Sequence, residues 1–122
     1  MKSLKLLALT FLITTNAYSG YYDGTYEYVH YHEICSGIME VSTFNDTAHV
    51  TLNTVCGEFA RTCDFEESMN FHGNTLIHSG DDFQFNIVFH GDASTLIFSR
   101  GNEMDFGYCG MNAYMHGLYR KK

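Results

Sequence analysis

Along residues 82–90 (DFQFNIVFH), Phe83, Phe85, Ile87 and Phe89 alternate with Gln84, Asn86, Val88 and His90. A period of two puts one set on each face of a strand. Four large apolar groups on one face then need a core beneath them. The same rhythm runs through residues 47–55, where Ala48, Val50 and Leu52 point inward against His49, Thr51 and Asn53. From Cys63 it places Phe65, Met69 and Phe71, with Glu67, opposite Asp64, Glu66, Ser68 and Asn70. Residues 34–44 put Cys35, Met39 and Val41 on one face and Ser36, Glu40 and Ser42 on the other. Residues 20–33 form a tyrosine-rich strand with neither face cleanly apolar. Shorter strands are predicted over 76–78, 94–100, 103–109 and 112–120. Residues 56–63 are irregular, either a closed loop or one helical turn.

Asn45-Asp46, Gly73-Asn74, Gly80-Asp81, Gly91-Asp92 and Gly101-Asn102 punctuate these runs as turns. Regular short strands between such breaks predict an all-β fold, a small antiparallel up-and-down meander of about eight strands. An open sheet of that size leaves two exposed edges, so closure into a barrel is preferred to a sandwich. Proline is absent from the chain and no linker interrupts the rhythm. One domain is expected over residues 20–122.

Residues 1–19 break the pattern. Lys2 and Lys5 precede an apolar run over 6–13, and Ala17 and Ser19 are the small residues that a signal peptidase reads. Cleavage is expected before Gly20, giving export to the periplasm or the extracellular space. The run is too short to cross a bilayer, and no cysteine lies beside the cleavage position, so no membrane anchor is expected.

Export changes the reading of the four cysteines from reactive thiols to two disulfides. Three pairings exist. The short polar segment between Cys56 and Cys63 suggests a local closure, which leaves Cys35 with Cys109 to tie an early strand to a late one. Six intervening residues do not match the short knuckle spacing of a zinc site, and C-x-x-C redox spacing is absent.

The chain carries a formal charge of −7, and losing Lys2 and Lys5 makes the remainder more acidic. Such a surface disfavours nucleic acid and anionic membranes as partners and suits a basic protein partner or a cation. Asp81-Asp82 and the run Asp64–Glu67 lack the spacing of a calcium loop and read as solvated surface. Seven histidines include His30-x-His32. If both lie on one strand, they share a face and can reach one divalent metal. Glu33 would point away, so a third ligand must come from His49, His72, His78, His90 or His116. Eight of the nine tyrosines cluster toward the two ends of the expected mature chain. If the first and last strands pair, Tyr22, Tyr26, Tyr28, Tyr114 and Tyr119 form one aromatic patch of the kind used in recognition. No nucleophile elbow, phosphate loop or H-E-x-x-H helix is present. The expectation is a non-enzymatic exported binding protein without a cofactor, an inhibitor of or adaptor to another protein. A divalent-metal-binding protein centred on His30 and His32 stands second, ahead of a small-ligand carrier or a small hydrolase.

Overall fold

The computed structural model describes residues 20–30, 32 and 34–122. The expected signal segment 1–19 lies outside them. Eight strands follow in chain order: β1 Gly24–His30, β2 Cys35–Phe44, β3 Thr47–Cys56, β4 Arg61–His72, β5 Thr75–Ser79, β6 Gln84–His90, β7 Ala93–Arg100 and β8 Gly117–Lys121. Each pairs antiparallel with its sequence neighbour, and β1 pairs with β8 through Tyr26↔Lys121, Tyr28↔Tyr119 and His30↔Leu118. The result is the closed antiparallel barrel that the strand rhythm predicts.

Eight strands enclose an interior just wide enough for side chains to fill. Here Tyr26, Met39, Leu52, Phe65, Phe85, Ile87, Phe89, Leu96 and Tyr119 fill it, each at most 2% exposed. The inward sets of β3, β4 and β6 are those their alternation predicts. The interior is therefore filled by core side chains.

The two ends of the barrel differ. At one, the hairpins β2–β3, β4–β5 and β6–β7 turn through Asn45-Asp46, Gly73-Asn74 and Gly91-Asp92, and positive φ at Asn45, Gly73 and Gly91 makes these tight reversals. At the other end lie His32 and Ile34, the turn 57–60, residues 80–83 and the long arm 101–116 between β7 and β8.

The arm corrects one expectation. Residues 103–109 are not a strand: Glu103–Asp105 form a 3₁₀ turn whose Asn102 side chain accepts from the Met104 N–H, while Asp105 reaches back to the Asn102 N–H. This capping box satisfies the backbone locally and removes the need for a ladder. The last strand is correspondingly short, starting at Gly117 rather than near residue 112. The first is also shorter than the tyrosine-rich run, stopping at His30.

The disulfide pairing also differs from the expected Cys35–Cys109 and Cys56–Cys63. The bonds are Cys35–Cys56 and Cys63–Cys109. The reason is register. The β3–β4 ladder runs to the pair Cys56↔Arg61, so the irregular part is only the turn 57–60 and Cys63 lies in β4 facing Thr54. Cys35 instead sits directly opposite Cys56 across β2–β3, and Cys63 meets Cys109 through an isolated bridge to the arm. Loop closure over sequence separations of 21 and 46 residues corresponds to about 3 and 4 kcal/mol of stabilisation.

Candidate functional site

The chemistry-bearing side chains gather at the disulfide end. The arm leaves β7 at Gly101 (φ +72°), where a Cβ would stand 2.5 Å from the Asp82 carbonyl oxygen. Glycine permits both that conformation and that approach. Two residues on, Glu103 is only 3% exposed. Its Oε2 accepts three hydrogen bonds: from the N–H of Met115 at 2.8 Å, from the N–H of His116 at 2.9 Å and from His116 Nδ1 at 2.6 Å. An uncompensated buried carboxylate costs several kcal/mol, so these donors are what allow it to be there. Burial pushes the Glu103 pKa up. The His116 ring and the two backbone N–H groups outweigh that effect and hold it below the ordinary value.

With Glu103 engaged on its Nδ1, the His116 ring turns Nε2 toward His32. That nitrogen lies 3.2 Å from Nε2 of His32. Two lone pairs repel at this distance, so the pair is joined by a proton on His32 Nε2 or by a shared cation. Tetrahedral zinc with Zn–N bonds of about 2.0–2.1 Å places its ligand nitrogens about 3.3–3.4 Å apart, close to the separation seen here. A carboxylate on the far nitrogen of a ligating imidazole is also the usual support for such a ligand.

Three further groups hold the histidines in place. The Tyr114 ring stacks on His32, with centroids 4.1 Å apart and planes 17° from parallel. Tyr114 is tied to β3 at both backbone groups: its C=O accepts from Thr54 Oγ1 at 2.8 Å and its N–H donates to Cys56 Sγ at 3.3 Å. The Tyr28 hydroxyl accepts from the His32 N–H and donates to the His116 C=O at 2.9 Å, so one hydroxyl clasps both histidine backbones. Burial raises the Tyr28 pKa, opposed by the His32 N–H and reinforced by Glu103, which keeps the hydroxyl protonated. Beside His116 opens a cleft of about 310 Å³, lined by Leu96, Ile97, Phe98, Gly101, Asn102 and Glu103.

The structure rearranges the expected site. His32 is present, but β1 stops at His30, so the two do not sit on one strand as their spacing suggested. The His30 side chain and Glu33 lie outside the described residues. His116, one of several expected third ligands, is the partner of His32. The remaining histidines are elsewhere: His49 pairs with Glu66 and His90 with Thr95 on the outer surface, His72 is the exposed last residue of β4, and His78 packs between Phe65, Phe83 and Phe85. Among the described residues, no third His, Cys, Asp or Glu converges on the pair. A cation there takes two imidazoles from them and leaves its other positions to water or to a further ligand.

The expected tyrosine patch is not a surface. Pairing of β1 with β8 does bring its members together, but Tyr26, Tyr28 and Tyr119 lie inside the barrel at 1%, 7% and 0% exposure. Inward alternation placed them there, and each hydroxyl finds a backbone carbonyl, of Tyr22, His116 and Met115 respectively. Tyr22 plugs the opposite end against Phe89, and Tyr114 carries His32. Glu103 was missed in the sequence. Its available signal was the capping pattern Asn102-x-x-Asp105, which marks a helical turn rather than a strand.

No protein-family model matches the chain, and no curated protein or solved structure is significantly similar to it.

Proposed function

We propose that this is an exported, non-enzymatic protein that binds a divalent transition metal through Nε2 of His32 and Nε2 of His116. The observation that carries the reading is the 3.2 Å separation of those two nitrogens, with Glu103 engaged on the other nitrogen of His116. Neutral imidazole donors suit zinc, copper and nickel and discriminate against calcium and magnesium, which prefer oxygen. Export agrees with the two disulfides. No described helix is long and apolar enough to cross a membrane.

The test is calorimetric titration of the oxidised protein with zinc, copper and nickel beside His32→Ala and His116→Ala. Binding at one metal per chain with Kd of about 1 μM or tighter, lost in both variants, supports the reading. A third variant, His30→Ala, measures whether that side chain completes the set. Absence of binding, or binding indifferent to His32 and His116, overturns the proposal and leaves the imidazole pair as a structural hydrogen bond.

A further inference from the structure

Each histidine of the pair sits on an arm that is covalently fastened to the β3–β4 hairpin. On one side, Cys35 is bonded to Cys56, and the Cys35 N–H donates to the His32 C=O at 3.0 Å. The same Cys56 sulfur accepts the N–H of Tyr114, whose ring is the platform for His32. On the other side, Cys63 is bonded to Cys109 in the arm 101–116. Flanking hydrogen bonds from Asp64 N–H to Tyr108 C=O and from Gly110 N–H to Thr62 C=O, both 2.9 Å, seat that arm on β4. This arm carries Glu103 and His116. Cys56 and Cys63 flank a single turn, 57–60, so one hairpin end is the common anchor for both arms.

We infer that the two disulfides are positioning elements of the metal site, which therefore assembles only in the oxidised chain. The inference rests on the metal reading above. The ladders that close the barrel leave both arms out of their rungs. Among the described residues, the separation of the two Nε2 atoms is specified by the Tyr28 clasp, the Glu103 contacts, the Tyr114 platform and these two covalent ties. A dithiol supplies two electrons and two protons per bond: the S–S bond breaks, two thiols form and the dithiol closes to its cyclic disulfide. After that exchange the covalent tie of the His32 side to β3, or of the His116 arm to β4, is gone and only hydrogen bonds remain there. The two imidazoles then lose their fixed spacing.

The experiment compares zinc affinity of the oxidised protein with that of Cys35→Ser/Cys56→Ser and Cys63→Ser/Cys109→Ser. Serine is used so that no new thiol can ligate the metal. Folding is checked by near-ultraviolet circular dichroism. Each folded variant is expected to bind zinc at least tenfold more weakly, and a folded variant with unchanged affinity overturns the inference. A second measurement decides the matter if a variant fails to fold. The oxidised protein is treated with a water-soluble trialkylphosphine, which becomes the phosphine oxide with oxygen taken from water, with and without saturating zinc. Zinc should slow cleavage of both disulfides at least tenfold, and equal rates overturn the inference. If the oxidised protein takes up no zinc at all, the metal reading itself falls and this inference falls with it.

Discussion

At the scale of single residues, Glu103 and Tyr28 do most to hold the site, and both act through contacts remote in sequence. Glu103→Gln keeps an acceptor oxygen but removes the charge that polarises His116. Metal affinity should fall about 10- to 100-fold, read by the same calorimetric titration. Tyr28→Phe removes the hydroxyl joining His32 to His116, two residues 84 positions apart. Unfolding by urea should show a loss of about 1–2 kcal/mol, with zinc affinity reduced while the barrel remains folded. His78 offers a test independent of metal. Burial among Phe65, Phe83 and Phe85 lowers its pKa from the ordinary 6.5, and Glu67 opposes this only partly. The unfolded chain therefore takes up a proton that the folded chain refuses. The His78 contribution to stability is full above about pH 6.5 and shrinks as pH falls below it. Urea midpoints between pH 7.5 and 5.5 should decline, and His78→Leu should flatten that decline. None of these roles was legible from the residues alone. Alternation assigns Tyr28 to a face, but nothing local names the carbonyl its hydroxyl will find.

At the scale of elements, legibility followed the hydrophobic period. In β3, β4 and β6 apolar groups dominate every second position, interrupted by Glu67 in β4 and Thr54 in β3, and one face must be buried whatever the partner. Those strands came out of the sequence with their inward residues correct. The arm 101–116 has no such period, because its burial is uneven: Glu103, Ala113 and Met115 are inside while Met104 and Met111 are exposed. Its path is set instead by a cap, a disulfide and a buried acid, which act once each rather than repeating. The cysteine pairing was misread for the same reason, since it depends on where the β3–β4 ladder ends. Gly101 marks the arm's departure and gives the element-scale test. Alanine there must adopt φ near +72° and place its Cβ against the Asp82 carbonyl. A left-handed non-glycine residue costs roughly 1–2 kcal/mol, and the contact adds to it. Gly101→Ala should lower the urea midpoint by the equivalent of about 2 kcal/mol or more. It should also weaken zinc binding, because the arm must shift.

At the scale of the whole molecule, the barrel and the site are built at different levels of redundancy. The barrel rests on eight ladders and a filled interior, so its form was readable from strand rhythm and the cost of exposed edges. The site rests on two arms that converge at one end, and convergence in space leaves no trace in spacing along the chain. The strand order has a further consequence, for the rate at which the barrel forms. Seven of the eight pairings join neighbours in sequence, and such contacts are reached early because little loop entropy opposes them. The β1–β8 seam alone joins the two extremes of the strand order, so it is expected to close last, after the transition state. Weakening it should hasten unfolding and leave refolding almost untouched. Tyr119→Leu, which deletes the ring packed edge-on against Tyr28 across the seam, puts this to a stopped-flow test with the disulfides intact. A raised unfolding limb over an unchanged folding limb is the expected chevron. A slowed folding limb would mean that the seam belongs to the nucleus, and that the barrel closes as it forms rather than after.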